Sequence, residues 1–195
     1  MDYKIILASA SPRRQQLLRE LRIPFTVRTV PVEEDYPAGL PLEQVAGFLA
    51  EKKGQAYRST MAEDELVITA DTTVVVEKLL LNKPADATEA QAMLSALSGR
   101  PHRVITGVCL TSLSTSHTFH DSTTVYFRTL SDEEISYYVK HYQPYDKAGG
   151  YAIQEWIGMM GIERIEGSFF NVVGLPVEKL YRELQRFGKI QLVSP

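Results

Sequence analysis

Hydrophobic positions along this chain fall into short unbroken runs separated by stretches with helical spacing. Unbroken runs of four or five predict strands covered on both faces, and spacing of three to four predicts amphipathic helices. The first run, Ile5-Ile-Leu-Ala8, predicts a buried strand. It stops at small hydroxyl-bearing residues, among them Ser9, and Pro12 stands where a helix would begin, with Ser11 as its cap. Leu17, Leu18 and Leu21 give that helix a buried face. Residues 25–30 predict a second strand. Pro41 opens a long helical pattern with Val45, Phe48 and Leu49 as its stripe and Lys52 and Lys53 near its end. Residues 66–70 predict a compact strand and 73–77 another, with Asp71 and Thr72 between them. A helix over 88–97 is punctuated by capping-box spacing at Thr88 and Gln91 and by Ser98-Gly99 at its end.

Two longer extended stretches follow, 102–111 and 118–128, both rich in β-branched and aromatic residues. Ser131 and Glu134 form a second capping box, before a helix that reaches about His141. Residues 145–150 make a Gly-containing loop. Pro176 begins a last helix through Phe187, with Val177, Leu180, Tyr181 and Leu184 on one face. Strands and helices in this order predict an α/β fold: a twisted mixed β-sheet flanked by helices, with a central cleft. Residues 1–188 are expected to form a single domain of two lobes around that cleft, and 189–195 a C-terminal tail. Strict βαβ repetition is not expected, because 102–111 and 118–128 have no helix between them.

Composition narrows the class. Hydrophobic residues at 44% and charged residues at 23% are ordinary for a globular protein in water. The 195 residues suffice for one substantial core. A formal net charge of −3 leaves no global basic field for nucleic acid or an anionic membrane, so phosphate has to be bound by a local cluster of cations. The single cysteine, Cys109, lies in an apolar stretch, which excludes an intrachain disulfide and a zinc cluster and predicts a core thiol. No apolar run approaches membrane-spanning length and the amino terminus lacks a signal pattern, so a cytoplasmic location is expected.

Candidate chemistry begins at the first strand-to-helix turn. Such a turn aims backbone N–H groups outward, and here it carries Arg13 and Arg14, whose forks match phosphate oxygens. The bland alternative is an ordinary cap followed by solvated arginines. Asp71, directly after an apolar strand, would sit at the mouth of the sheet, able to bind Mg²⁺ or take a proton from water. The same residue type is also common in turns. Glu33, Glu34 and Asp35 supply hard oxygen donors that suit Mg²⁺ or Mn²⁺ when substrate phosphates complete the shell; otherwise they are solvated surface. Lys52, Lys53, Lys83, Arg100 and Lys147 could join the arginines around a triphosphate. His102 reads as a structural hydrogen-bonding residue. Gln154 offers a donor and an acceptor, which suits the imide edge of uracil or thymine.

Five ordered motifs carry a resemblance over nearly the whole chain. They are Ala8-Ser-Ala-Ser-Pro-Arg-Arg14, Ala70-Asp-Thr-Thr-Val74, Asn82-Lys-Pro84 with Asp86, Ser98-Gly-Arg-Pro-His102 with Thr106, and Asp146-Lys-Ala-Gly-Gly-Tyr-Ala-Ile-Gln154. The chain resembles the Maf family of nucleoside triphosphate pyrophosphatases, and its last motif looks like the dTTP/UTP branch. The resemblance implies an ITPase/Maf-like fold with a central nucleotide-binding cleft. It also implies hydrolysis of dTTP and UTP, or of modified pyrimidine nucleotides, to monophosphate and pyrophosphate in a housecleaning role. Asp71 would then be the proton acceptor. Arg13, Thr72 and Gln154 would set substrate choice, with Ser9, Arg14, Lys53 and Lys83 as further substrate contacts. Glu34 and Asp71 would hold Mg²⁺ or Mn²⁺, Glu34 being preferred to Glu33 by its match to the family pattern. A homodimer is implied by the likeness alone.

The chain departs from the family pattern at Glu155-Trp156, where Gly is usual after Gln154, and at Gly54, where Ala is usual. The segment from Glu77 to Leu81 also lacks a turn glycine. The alternative activity class is a nucleotide-binding regulator of cell division or septum formation whose hydrolysis is incidental. A γ-phosphatase ranks lower, because the chain has no Gly-x-x-x-x-Gly-Lys-Ser/Thr loop.

Overall fold

Apolar runs become strands and amphipathic stretches become helices across residues 3–188, the part of the chain that the computed structural model describes; the tail expected over 189–195 lies outside it. The strands among these residues are β1 (Lys4–Leu7), β2 (Phe25–Val27), β3 (Glu65–Val76), β4 (Leu79–Leu81), β5 (Pro101–Thr111), β6 (Ser116–Phe127) and β7 (Ile162–Glu166). They form one mixed sheet in the order β2-β1-β3-β5-β6-β7, with β4 added to β3. The helices are α1 (Pro12–Glu20), α2 (Leu42–Gln55), α3 (Ala87–Leu97), α4 (Asp132–Tyr142), α5 (Trp156–Gly161), α6 (Phe169–Val173) and α7 (Val177–Phe187). The fold is therefore α/β, as its hydrophobic pattern implies. None of the described helices is long and apolar enough to cross a membrane. The chain packs as two compact units, one of residues 3–71, 106–121 and 174–188 and the other of 72–105 and 122–173.

In the first unit β1 pairs in parallel with both β2 and β3, placing Ile5 opposite Phe25 and Leu66. Parallel strands are covered on both faces, which is why Ile5 to Leu7 and Leu66 to Ile68 are all buried without alternation. Cys109 is a buried free thiol, as expected. Gly54 of α2 explains one departure from the family pattern. A methyl group there would stand 2.5 Å from Thr111 Oγ1, 3.3 Å from Thr69 Oγ1 and 3.4 Å from Cys109 Sγ. The glycine makes room for these three side chains. Gly54→Ala should therefore lower the thermal midpoint by overpacking, at about 1–3 kcal/mol, outweighing its gain in helix propensity. Adding Thr111→Ala should recover the loss. Additive effects in the double-mutant cycle would reject the explanation.

The second unit has its own core, in which Val74, Leu94, Val125, Phe127, Tyr138 and Ile157 are buried together. His102 lies within it, 2% exposed, with Nε2 2.7 Å from the Tyr151 hydroxyl. Phe127 and Tyr151 both meet the imidazole edge-on. Burial pushes its pKa from 6.5 down to about 4. Between those values the unfolded chain takes up a proton that the folded protein refuses. Stability is thus complete above about pH 6.5 and is lost as pH falls toward 4, by roughly 3 kcal/mol. Thermal midpoints measured across that window should fall in the native protein and fall less in His102→Gln. An unchanged slope in the variant would place the effect elsewhere.

Several expected elements are corrected. Residues 66–70 and 73–77 are not two strands: β3 runs unbroken from Glu65 to Val76, and Asp71 sits inside it rather than after its end. The β-branched run Thr72 to Val76 carries the extended backbone past the carboxylate. The chain turns instead at Glu77, whose φ is 52°, so a non-glycine residue takes the left-handed position of the hairpin to β4. The box at Thr88 and Gln91 is replaced by Asp86, whose side chain accepts from Glu89 N at 2.9 Å, while the Glu89 carboxylate accepts from Ala85 N. An acid one residue outside the helix caps it more directly than a threonine already inside. The expected strand over 25–30 ends at Val27. There the Glu65 carboxylate accepts from both terminal guanidinium nitrogens of Arg28, and the Tyr57 hydroxyl donates to the Arg28 carbonyl at 2.7 Å. The hydrophobic pattern does not predict α5, β7 or α6. By contrast, the Ser131–Glu134 box is complete in both directions.

Candidate active site

Ser9, the first polar residue after β1, is buried, and its hydroxyl accepts from Ser11 N at 3.2 Å. Gln15 Nε2 donates to the Ser9 carbonyl at 3.2 Å, folding the turn against the start of α1. Ser11 occupies the N-cap position but its side chain makes no capping bond, and Pro12 follows it. Fixed φ at Pro12 and the Ser9 hydroxyl therefore set the turn that presents Arg13 and Arg14.

Arg14 donates Nε to the Gly174 carbonyl and Nη1 to the Ala70 carbonyl, both at 2.8 Å. It thereby clamps the residue immediately before Asp71. Burial lowers its pKa, the Asp71 and Glu34 carboxylates act against that shift, and the Arg13 charge acts with it. Arg13, Arg14, Glu34 and Asp71 are accordingly electrostatic neighbours within the first unit.

Asp71 is buried within β3, and its Oδ1 accepts from Lys53 Nζ at 2.5 Å. The same ammonium donates to Glu34 Oε1 at 2.7 Å. One cation thus joins two carboxylates that lie far apart in sequence. The acidic run divides: Glu34 takes Lys53, Asp35 takes Lys52, and Glu33 is exposed. Both lysines lie in the last turn of α2, where cations also suit the helix dipole. Gly107 lets α2 approach β5 at backbone contact, since a methyl group there would stand 2.3 Å from the Ala46 carbonyl carbon.

The donor set suits a hard divalent cation shared with a substrate. Two carboxylates converge on one positive charge, and no group of three His, Cys, Asp or Glu residues among the described residues could hold a metal unaided. Mg²⁺ commonly takes one or two carboxylates and completes its shell with phosphate oxygens and water.

The other expected residues belong to the second unit. Thr72 follows Asp71 in β3 and is half-buried, while Lys83 and Gln154 are exposed. Three of the sequence motifs meet in this unit. Gly149 N donates to the Asn82 carbonyl at 3.0 Å, tying the Asn82-Lys83-Pro84 segment to the glycine pair. Gly149 has φ 71° and would place a methyl group 3.0 Å from Val74 Cγ2, so only glycine fits the turn. His102 reaches Tyr151 in the same motif, and Ser98 Oγ accepts from Leu130 N at 2.8 Å. Lys147 is not a surface cation: it is buried and paired with Asp146 at 2.7 Å. Arg100 pairs with Glu77 at an exposed site. Tyr138, which draws no notice as one aromatic on an amphipathic helix, lies buried beneath the segment carrying Gln154.

Several described proteins are similar to this chain over nearly its whole length. A protein of Porphyromonas gingivalis described as a dTTP/UTP pyrophosphatase is 54% identical over 190 residues, covering 96% of each chain. Proteins of the same description from Phocaeicola vulgatus and Bacteroides fragilis are 52% and 51% identical over 185 residues, covering 94% of this chain and 96% of theirs. The model of Maf-like proteins matches residues 4–187. With the five motifs in order and this match spanning β1 to the end of α7, the chain belongs to the Maf-like protein family.

Proposed function

We propose that the protein hydrolyses dTTP and UTP at the α–β phosphoanhydride bond, releasing the nucleoside monophosphate and pyrophosphate. The observation that carries this reading is the Asp71–Lys53–Glu34 cluster beside the arginine-bearing turn: two carboxylates and three cations within one unit. Relatives about half identical over nearly their full length, described as dTTP/UTP pyrophosphatases, support the substrate class and the type of reaction.

In this reading Asp71 orients a water molecule toward the α-phosphorus and accepts its proton. The new P–O bond forms as the bond to the β-phosphate breaks, and pyrophosphate leaves with the electron pair. Lys53 and Arg13 neutralise the charge that accumulates on the leaving group, together with the positive end of the α1 dipole. Arg14 keeps its two carbonyl bonds and holds Asp71 in place throughout. Glu34 and Asp71 would hold Mg²⁺ or Mn²⁺ along with phosphate oxygens, and the bound cation would polarise the phosphoryl group and acidify water.

Product analysis with dTTP, UTP, CTP and GTP in the presence of Mg²⁺ tests the reading. The expected products are dTMP and UMP with equimolar pyrophosphate. Release of orthophosphate with dTDP would make it a γ-phosphatase, and tight binding without turnover would make it a regulator.

A further inference from the structure

Glu155 stands at the N-cap of α5, yet its side chain makes no capping bond to that helix. It turns back instead. Its Oε2 accepts a short hydrogen bond from the Tyr138 hydroxyl, and its Oε1 lies 3.5 Å from Lys147 Nζ. The same Tyr138 hydroxyl accepts from Ala152 N at 3.2 Å. One buried phenol therefore holds both flanks of the pair Ile153-Gln154, with exposed Gln154 between the two anchors. Gly158 keeps the far side tight, since a methyl group there would stand 1.9 Å from the Ile153 carbonyl oxygen.

Charge balance alone does not account for this geometry. Asp146 already meets the Lys147 ammonium at 2.7 Å, so the lysine does not need a second carboxylate. What Glu155 adds is closure of the segment through Tyr138. We propose that Glu155, with Tyr138 as its anchor, is a positioning residue that fixes the aim of Gln154 and so sets base selectivity. This rests on the proposed nucleotide reading and on the role in substrate choice that the family resemblance implies for Gln154. Fixing the amide matters because a hydrogen-bonding pair can discriminate between bases only if donor and acceptor are held in register.

Trp156, the single tryptophan, adjoins Glu155 with its ring centroid 4.9 Å from that of Tyr137, so its emission is expected to change when a nucleotide binds at Gln154. In titrations and kinetics with dTTP and CTP, Glu155→Gly and Tyr138→Phe should each raise the dTTP Kd and KM about tenfold and shrink the preference for dTTP over CTP. Their kcat should stay within about twofold, because the groups at the α-phosphorus are untouched. Glu155→Gln keeps an acceptor for Tyr138 and should retain the preference, with thermal melts showing each variant folded. A wild-type KM and preference in both Glu155→Gly and Tyr138→Phe would overturn the proposal. So would an unchanged preference in Gln154→Ala, since the segment would then not read the base. Failure of the native protein to release pyrophosphate would instead sink the proposed reaction, while the Trp156 titrations would still decide the role of Glu155.

Discussion

Replacing Asp71 with Asn should lower kcat for dTTP by about a thousandfold while leaving the fold intact. Asparagine is isosteric with aspartate and still offers an oxygen to Lys53 Nζ, which lies 2.5 Å from Oδ1 in the native protein. Arg14 donates to the Ala70 carbonyl, a main-chain bond that the substitution leaves in place, so the strand keeps this clamp. What disappears is the negative charge that attracts a metal and accepts a proton. The thermal midpoint should move by only a few degrees, because the side chain is not part of an apolar core. Steady-state kinetics together with a thermal melt separate the two effects. A variant within about tenfold of native turnover would remove Asp71 from the chemistry.

The second large effect concerns Gly107 and is structural. A methyl group at this position of β5 would stand 2.3 Å from Ala46 C, 2.4 Å from Ala46 O and 2.4 Å from Gly47 N. All three are backbone atoms of α2, so no side-chain rotation relieves the clash. The helix would have to move away from the sheet as a body. Gly107→Ala should therefore cost about 3 kcal/mol or more and lower the thermal midpoint by about 10 °C. Because α2 carries Lys53, the shift should also weaken turnover in the fraction that still folds. Gly47, on the helix side of the same contact, is the control: an added methyl would meet Thr118 Cγ2 at 3.7 Å, an ordinary contact. Gly47→Ala should be neutral or stabilise by up to about 1 kcal/mol through helix propensity. If the two substitutions had equal effects, close helix–strand approach would not be what Gly107 provides.

The strength of local signals decided what the sequence could reveal. The Ser131–Glu134 box and Pro12 at the start of α1 are read correctly because each works within one turn. Asp71 misleads because aspartate is a turn former by propensity, whereas here β-branched neighbours and pairing to β4 keep the strand extended. The elements α5, β7 and α6 are short and gain their shape from contacts made elsewhere. Asn171 is one example, its buried amide donating to Val104 O and Thr123 Oγ1 at 2.9 and 3.0 Å.

The cluster at Asp71 was legible as residue types but not as partners. No spacing rule shows that Lys53 bridges Glu34 and Asp71, because those residues arrive on a loop, a helix and a strand. Nor does composition reveal that Arg14 donates to the carbonyls of Gly174 and Ala70. The anchor of Gln154 was equally hidden, since Tyr138 looks like any apolar-face aromatic until its hydroxyl is seen between Ala152 and Glu155.

Hydrolysis of dTTP in heavy-oxygen water tests the reaction at the level of the bond broken. Attack on the α-phosphorus, with water aligned by Asp71, predicts one heavy oxygen in the phosphate of dTMP and none in the pyrophosphate. Label in pyrophosphate would mean attack on the β-phosphorus and label in orthophosphate attack on the γ-phosphorus, and either would contradict the assignment of Asp71, Lys53 and Glu34 to attack at the α-phosphorus.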